Sequence, residues 1–111
     1  MAKLSDPQLE ELEAIRQRFA AKIPEKVQAI EQTARLLRSG GGAEPEVVER
    51  LFQLAHGLAG SAAIFGFKDL AQAAAALEVL VTSRSDDPVA SASWSRRIAS
   101  AVRRIRRSAG R

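Results

Sequence analysis

The stretch Leu51-Phe52-Gln53-Leu54-Ala55-His56-Gly57-Leu58-Ala59-Gly60-Ser61-Ala62-Ala63-Ile64-Phe65-Gly66 decides the fold of this chain. Its apolar residues return at intervals of three and four: Val47 or Val48, Leu51, Ala55, Leu58, Ala62 and Phe65. That spacing lays one stripe along an α-helix. Pro45 suits a first helical position, and Glu46 and Glu49 complement the positive end of the helix. Gly66 is placed as the C-terminal cap, where a left-handed residue is favoured. The predicted helix runs about 21 residues, roughly 31 Å.

His56 lies off the stripe. Its neighbours one turn away are Phe52, Ala59, Gly60 and Ala63. The ring therefore points towards solvent from the middle of a long helix. Gly57 and Gly60 are out of place there, since each costs about 1 kcal/mol relative to alanine. Gly60 shares the face of His56. It either lets another helix pack closely or clears space beside the imidazole for a bulky group and an approaching backbone.

Outward from this helix, proline and glycine divide the chain. Asp6-Pro7 opens a helix, with Asp6 as N-cap and Pro7 as first helical residue. Leu9, Leu12, Ile15, Arg16 and Phe19 follow at helical spacing. Pro24 starts a second segment or kinks the first, and Val27, Ile30, Ala34 and Leu37 share one face. Gly40-Gly41-Gly42 is a break. Beyond Gly66, Lys68 to about Thr82 forms a helix with Leu70, Ala73, Ala74, Leu77 and Leu80 or Val81 inward. Ser83 to Asp87 is a loop. Asp87-Pro88 opens a last helix towards Ser108, carrying Trp94, Ile98, Ala101, Val102 and Ile105 inward. Short connections between amphipathic helices imply antiparallel neighbours. The expected fold is all-α: an antiparallel up-down four-helix bundle with an additional short N-terminal helix, in one domain whose core spans about residues 8–107.

Composition agrees. The chain has 111 residues and a net charge of +4. Good helix formers dominate and tyrosine is absent. No apolar run is long enough to cross a membrane. The first residues become charged quickly, unlike a signal peptide. With no cysteine, disulfides and thiolate metal sites are excluded. A cytoplasmic setting fits these features. After Asp87 there is no acidic residue, while Arg96, Arg97, Arg103, Arg104, Arg106, Arg107 and Arg111 crowd the end. Such a helix is either a solvated face with cations at its favourable end or a contact for nucleic acid or anionic membrane.

The order His56-Gly57-Leu58-Ala59-Gly60, five residues, then Gly66, resembles the motif of histidine phosphotransfer domains: His, any residue, Leu, usually Lys, Gly, five residues, Gly. Ile64-Phe65-Gly66-Phe67 is similar to the matching stretch in the phosphotransfer domain of chemotaxis kinases. The resemblance covers nearly the whole chain. It implies that His56 is the phosphoacceptor, that Gly60 gives steric access, and that Gly66 ends the helix. It also implies that the residue twenty-two positions on, here Glu78, binds the imidazole N–H at Nδ1 and leaves Nε2 to attack phosphorus. The departure is Ala59, where many members carry a lysine that helps neutralise the phosphate; Lys68 or a partner's arginine is the expected substitute.

The chemistry follows from these expectations. A carboxylate on one ring nitrogen fixes the tautomer and makes the other more basic. Gly40-Gly41-Gly42 lacks the Lys-Ser/Thr of a phosphate-binding loop, so no nucleotide site or kinase activity is expected. As the only histidine, His56 has no spaced ligand for a metal. The expected cofactor is none, with Mg²⁺ held by the partner. The expected partners are a response-regulator receiver domain and a histidine kinase or hybrid kinase, docked over Phe52, Ala59, Ala63 and Lys68, with neither nucleic acid nor membrane insertion. The alternative is a non-catalytic helical binding module whose arginine-rich last helix contacts nucleic acid or anionic membrane.

Overall fold

A computed structural model describes residues 5–38, 45–83 and 88–110. They form four α-helices: α1 (Asp6–Arg38), α2 (Pro45–Ile64), α3 (Lys68–Thr82) and α4 (Pro88–Ala109). The glycine triplet and the loop after Ser83 up to Asp87 lie outside the described residues.

The expected separate N-terminal helix is not there. Residues 6–38 make one continuous helix with Pro24 inside it. Proline removes the hydrogen bond to the fourth preceding carbonyl and crowds it. Here Pro24 is exposed, on the solvent side of the helix. Meanwhile Phe19, Ile23, Val27, Ile30, Ala34 and Leu37 stay buried on the opposite side. Core packing on both sides of the proline carries the helix through it.

The start of α1 differs by one residue from the sequence reading. The Ser5 backbone N–H donates to Gln8 Oε1 at 2.8 Å, and the Gln8 N–H donates to Ser5 Oγ at 3.3 Å. This reciprocal pair is a capping box with Ser5, not Asp6, as the N-cap. Residues 5–14 are all exposed, including Leu9 and Leu12. With 33 residues, α1 is about 50 Å long and overhangs the shorter α2.

Each helix packs on its neighbour in sequence, and α4 returns against α1. Arg16 in the first half of α1 reaches Phe65 just past the end of α2, and Glu31 in the second half of α1 reaches Arg106 near the end of α4. The core is the sum of four stripes, among them Leu51, Ala55, Leu58 and Ala62 of α2, Leu70, Ala73, Ala74, Leu77 and Val81 of α3, and Trp94, Ile98, Val102 and Ile105 of α4. Each large side chain buried here contributes about 1.5–3 kcal/mol of transfer free energy. The buried polar groups are satisfied: Thr33 Oγ1 donates to the Ala29 carbonyl at 2.8 Å, and Trp94 Nε1 to the Leu80 carbonyl at 2.7 Å.

Candidate functional site

The α2–α3 corner sets the site. Gly66 takes a φ of 83°, which suits a residue without a Cβ. The Phe67 N–H donates to the Ala62 carbonyl at 2.8 Å and the Gly66 N–H to the Ala63 carbonyl at 3.3 Å. These two bonds make a Schellman cap. A cluster from α1 clasps the corner: Phe19 stacks on Phe65 with centroids 5.1 Å apart, and the Arg16 guanidinium lies 4.5 Å over the Phe67 ring while its Nε donates to the Phe65 carbonyl. The corner fixes the register of α3 against α2.

That register brings Glu78 to His56. His56 Nδ1 lies 3.1 Å from Glu78 Oε2. A carboxylate only accepts, so the hydrogen belongs on Nδ1 and the lone pair on Nε2 is left free. The His56 side chain is 64% exposed and that of Glu78 27%. A second contact orients the ring: Phe52 stacks on it at 5.7 Å with planes 11° apart. Phe52 was expected only as a docking residue. Its place four residues before His56 on a helix was the available signal.

Gly60 is exposed, and a methyl group there would meet no neighbouring atom within 4 Å. Close approach of another helix is therefore not the reason for this glycine. It leaves the imidazole face open one turn beyond His56. Gly57 is equally unobstructed.

The remaining expected docking residues divide. Ala63 is exposed and Ala59 half-buried, both on α2 near His56. Lys68 is exposed at the first turn of α3. It stands ten residues before Glu78, roughly 15 Å along the helix axis, so it is not brought to the imidazole. Among the described residues no lysine or arginine pairs with His56 or Glu78, and no group of three His, Asp or Glu side chains is placed to hold a metal ion. No helix of the described residues is long and apolar enough to cross a membrane.

The site is thus one exposed histidine on a helical bundle, with one carboxylate on Nδ1 and one aromatic ring against it. The model of the Hpt domain family matches residues 14–108, and the chain belongs to that family. Hpt domains are phosphocarrier modules of two-component phosphorelay signal transduction, not kinases. Searches of curated proteins and of solved structures gave no match.

Proposed function

We propose that this chain is a histidine-containing phosphotransfer protein, a single domain arranged as an up-and-down bundle. It accepts a phosphoryl group on Nε2 of His56 and passes it to or from an aspartate of a response-regulator receiver domain. The observation that carries this reading is the His56–Glu78 pair at 3.1 Å, with the ring otherwise open to solvent.

The Nε2 lone pair attacks the phosphorus of the receiver's aspartyl phosphate. A P–N bond forms as the P–O bond to the aspartyl oxygen breaks, and the aspartate leaves as carboxylate. The ring gains positive charge as it bonds phosphorus, and the Glu78 carboxylate on Nδ1 stabilises that charge. Phe52 and Glu78 together hold the ring in one orientation, which is where in-line transfer gains most of its rate. The reverse transfer uses the same groups. Gly60 leaves room for the phosphoryl group. Phe52, Ala59 and Ala63 form the centre of the receiver-docking face, with Lys68 at its rim.

The receiver supplies the acidic pocket and the Mg²⁺, and this chain supplies no cofactor or nucleotide site. The positive charge that Ala59 fails to provide comes from the receiver. A histidine kinase or hybrid kinase feeds the relay, in the cytoplasm.

The test is a transfer time course from a set of phosphorylated receiver domains. At least one receiver passes its label to this chain within minutes. Glu78→Ala slows that transfer about tenfold, equivalent to about 1.4 kcal/mol and the scale of one hydrogen bond lost, while helix content is kept. If no receiver transfers, the reading is wrong. An unchanged rate in Glu78→Ala removes Glu78 from the mechanism.

A further inference from the structure

Away from the His56 face, α3 and α4 enclose an open groove. Its floor is apolar: Ala75, Ala76, Val79, Leu80 and Ala101 line it, with Arg97 on one wall. Val79 is 68% exposed. Arg97 has no ion-pair partner among the described residues. Nearer the start of α3 and the end of α4, Arg104 and Arg107 line a second depression beside Asp69 and Ser108. Residues 97, 101, 104 and 108 share one helix face, as do 69, 72, 76, 79 and 83. The apolar depression and the arginine-lined one therefore follow each other along the same side of the α3–α4 pair.

The opposite chemistry sits on the overhang of α1. Leu9 and Leu12 lie one turn apart and are 49% and 50% exposed. Asp6, Glu10, Glu11 and Glu13 surround them. Glu10 and Glu11 have no ion-pair partner among the described residues. An amphipathic acidic helix is what an apolar groove walled by arginine binds. Lengths agree as well: residues 5–14 span roughly 15 Å, and the floor from Gln72 to Ser83 about the same.

We infer that the overhang of α1 from a second copy of this chain docks in the α3–α4 groove. Arg16 packs at the α2–α3 corner, so the overhang projects past that end of the bundle. The arginine-lined depression lies at the same end. Two copies facing each other end to end exchange overhangs about a two-fold axis, which closes the assembly as a dimer. Leu9 and Leu12 enter the floor near Ala76 and Val79, and the glutamates meet Arg97, Arg104 and Arg107. The His56 face stays free, so this dimer does not depend on the phosphotransfer reading.

Sedimentation of the full chain over a concentration series provides the first test. A reversible dimer forms, weaker at 1 M than at 0.1 M salt because screening shortens from about 10 to 3 Å. Leu9→Ser with Leu12→Ser raises the dissociation constant at least tenfold; both side chains are exposed, so the fold is retained. Arg97→Glu also weakens association. The absence of cysteine permits a positional test: Leu9→Cys and Val79→Cys copies, mixed and oxidised, form a mixed cross-linked dimer in preference to either self-linked one. A chain that stays monomeric at millimolar concentration, a dimer indifferent to Leu9→Ser with Leu12→Ser, or preferential self-linking of the Leu9→Cys copies overturns the proposal.

Discussion

Gly60 sits inside a helix where alanine is favoured by about 1 kcal/mol, and no neighbouring atom would obstruct a methyl group there. On stability alone the glycine is a defect. On the proposed function, its value is the open space beside His56. Gly60→Ala is expected to raise stability by about 1 kcal/mol and yet slow phosphotransfer, and Gly60→Val to slow it further with the bundle intact. Chemical denaturation read beside a transfer time course checks both halves. Transfer at the normal rate in Gly60→Val would show that the space has no role. At this scale the sequence was informative about His56 and Gly60, because helical phase alone puts them on one exposed face. Glu78 was different. Twenty-two residues and a helix corner separate it from His56, and only the family resemblance pointed to it. Phe52 stacks on the imidazole, a contact the spacing of four permits but does not demand, since a phenylalanine there is equally able to turn inward.

Among the elements, α2, α3 and α4 were legible to within a residue or two. Their stripes are long and regular, and Pro45, Gly66 and Pro88 mark their ends. The buried residues of α3 are those the periodicity named. α1 was misjudged because proline in a sequence reads as a stop, and the rule carries no information about which side of the helix faces water. Pro24 is on the solvent side, with Ile23 and Val27 buried beside it. Leu9 and Leu12 keep the helical spacing yet are about half exposed, because a helix longer than its neighbour leaves its end uncovered. Pro24→Ala restores a backbone donor to the Ala20 carbonyl. It should stabilise the protein by about 1–3 kcal/mol, the range between a helix-end adjustment and the full cost of an interior proline. A higher denaturation midpoint at unchanged m-value would show this. No gain would mean that α1 is already relaxed around the proline.

At the scale of the whole molecule, an ion pair links the first helix to the last. Arg106 binds both carboxylate oxygens of Glu31, seventy-five residues away, a contact no local pattern announces. The arginine-rich α4 therefore spends one of its charges on the fold, and Arg106 is not part of a free basic face. The Arg106 guanidinium holds the Glu31 carboxyl below its usual 4.5. A carboxyl depressed in the folded state stabilises it where the carboxylate is ionised in both states, above about pH 4.5. That contribution fades as pH falls through the folded-state value. Glu31→Gln is thus expected to lower Tm slightly near neutrality, on the scale of a partly exposed ion pair, with the gap to the unmodified protein closing in acid. A gap that persists below pH 3, or never exists, would show that the pair does not tie α1 to α4.

The bundle and the α2–α3 corner leave His56 exposed at the surface, with Glu78 on Nδ1 and Phe52 against the ring. The most direct test is to load a cognate receiver with labelled phosphate, mix it with this chain, and follow the label. His56 is the only histidine, so a phosphohistidine has one place to form. The label is expected on this chain at a single site, stable in alkali and lost in acid, and absent from His56→Gln while that variant keeps its helix content. Label that persists in His56→Gln, or that survives acid as a serine ester does, would contradict the account.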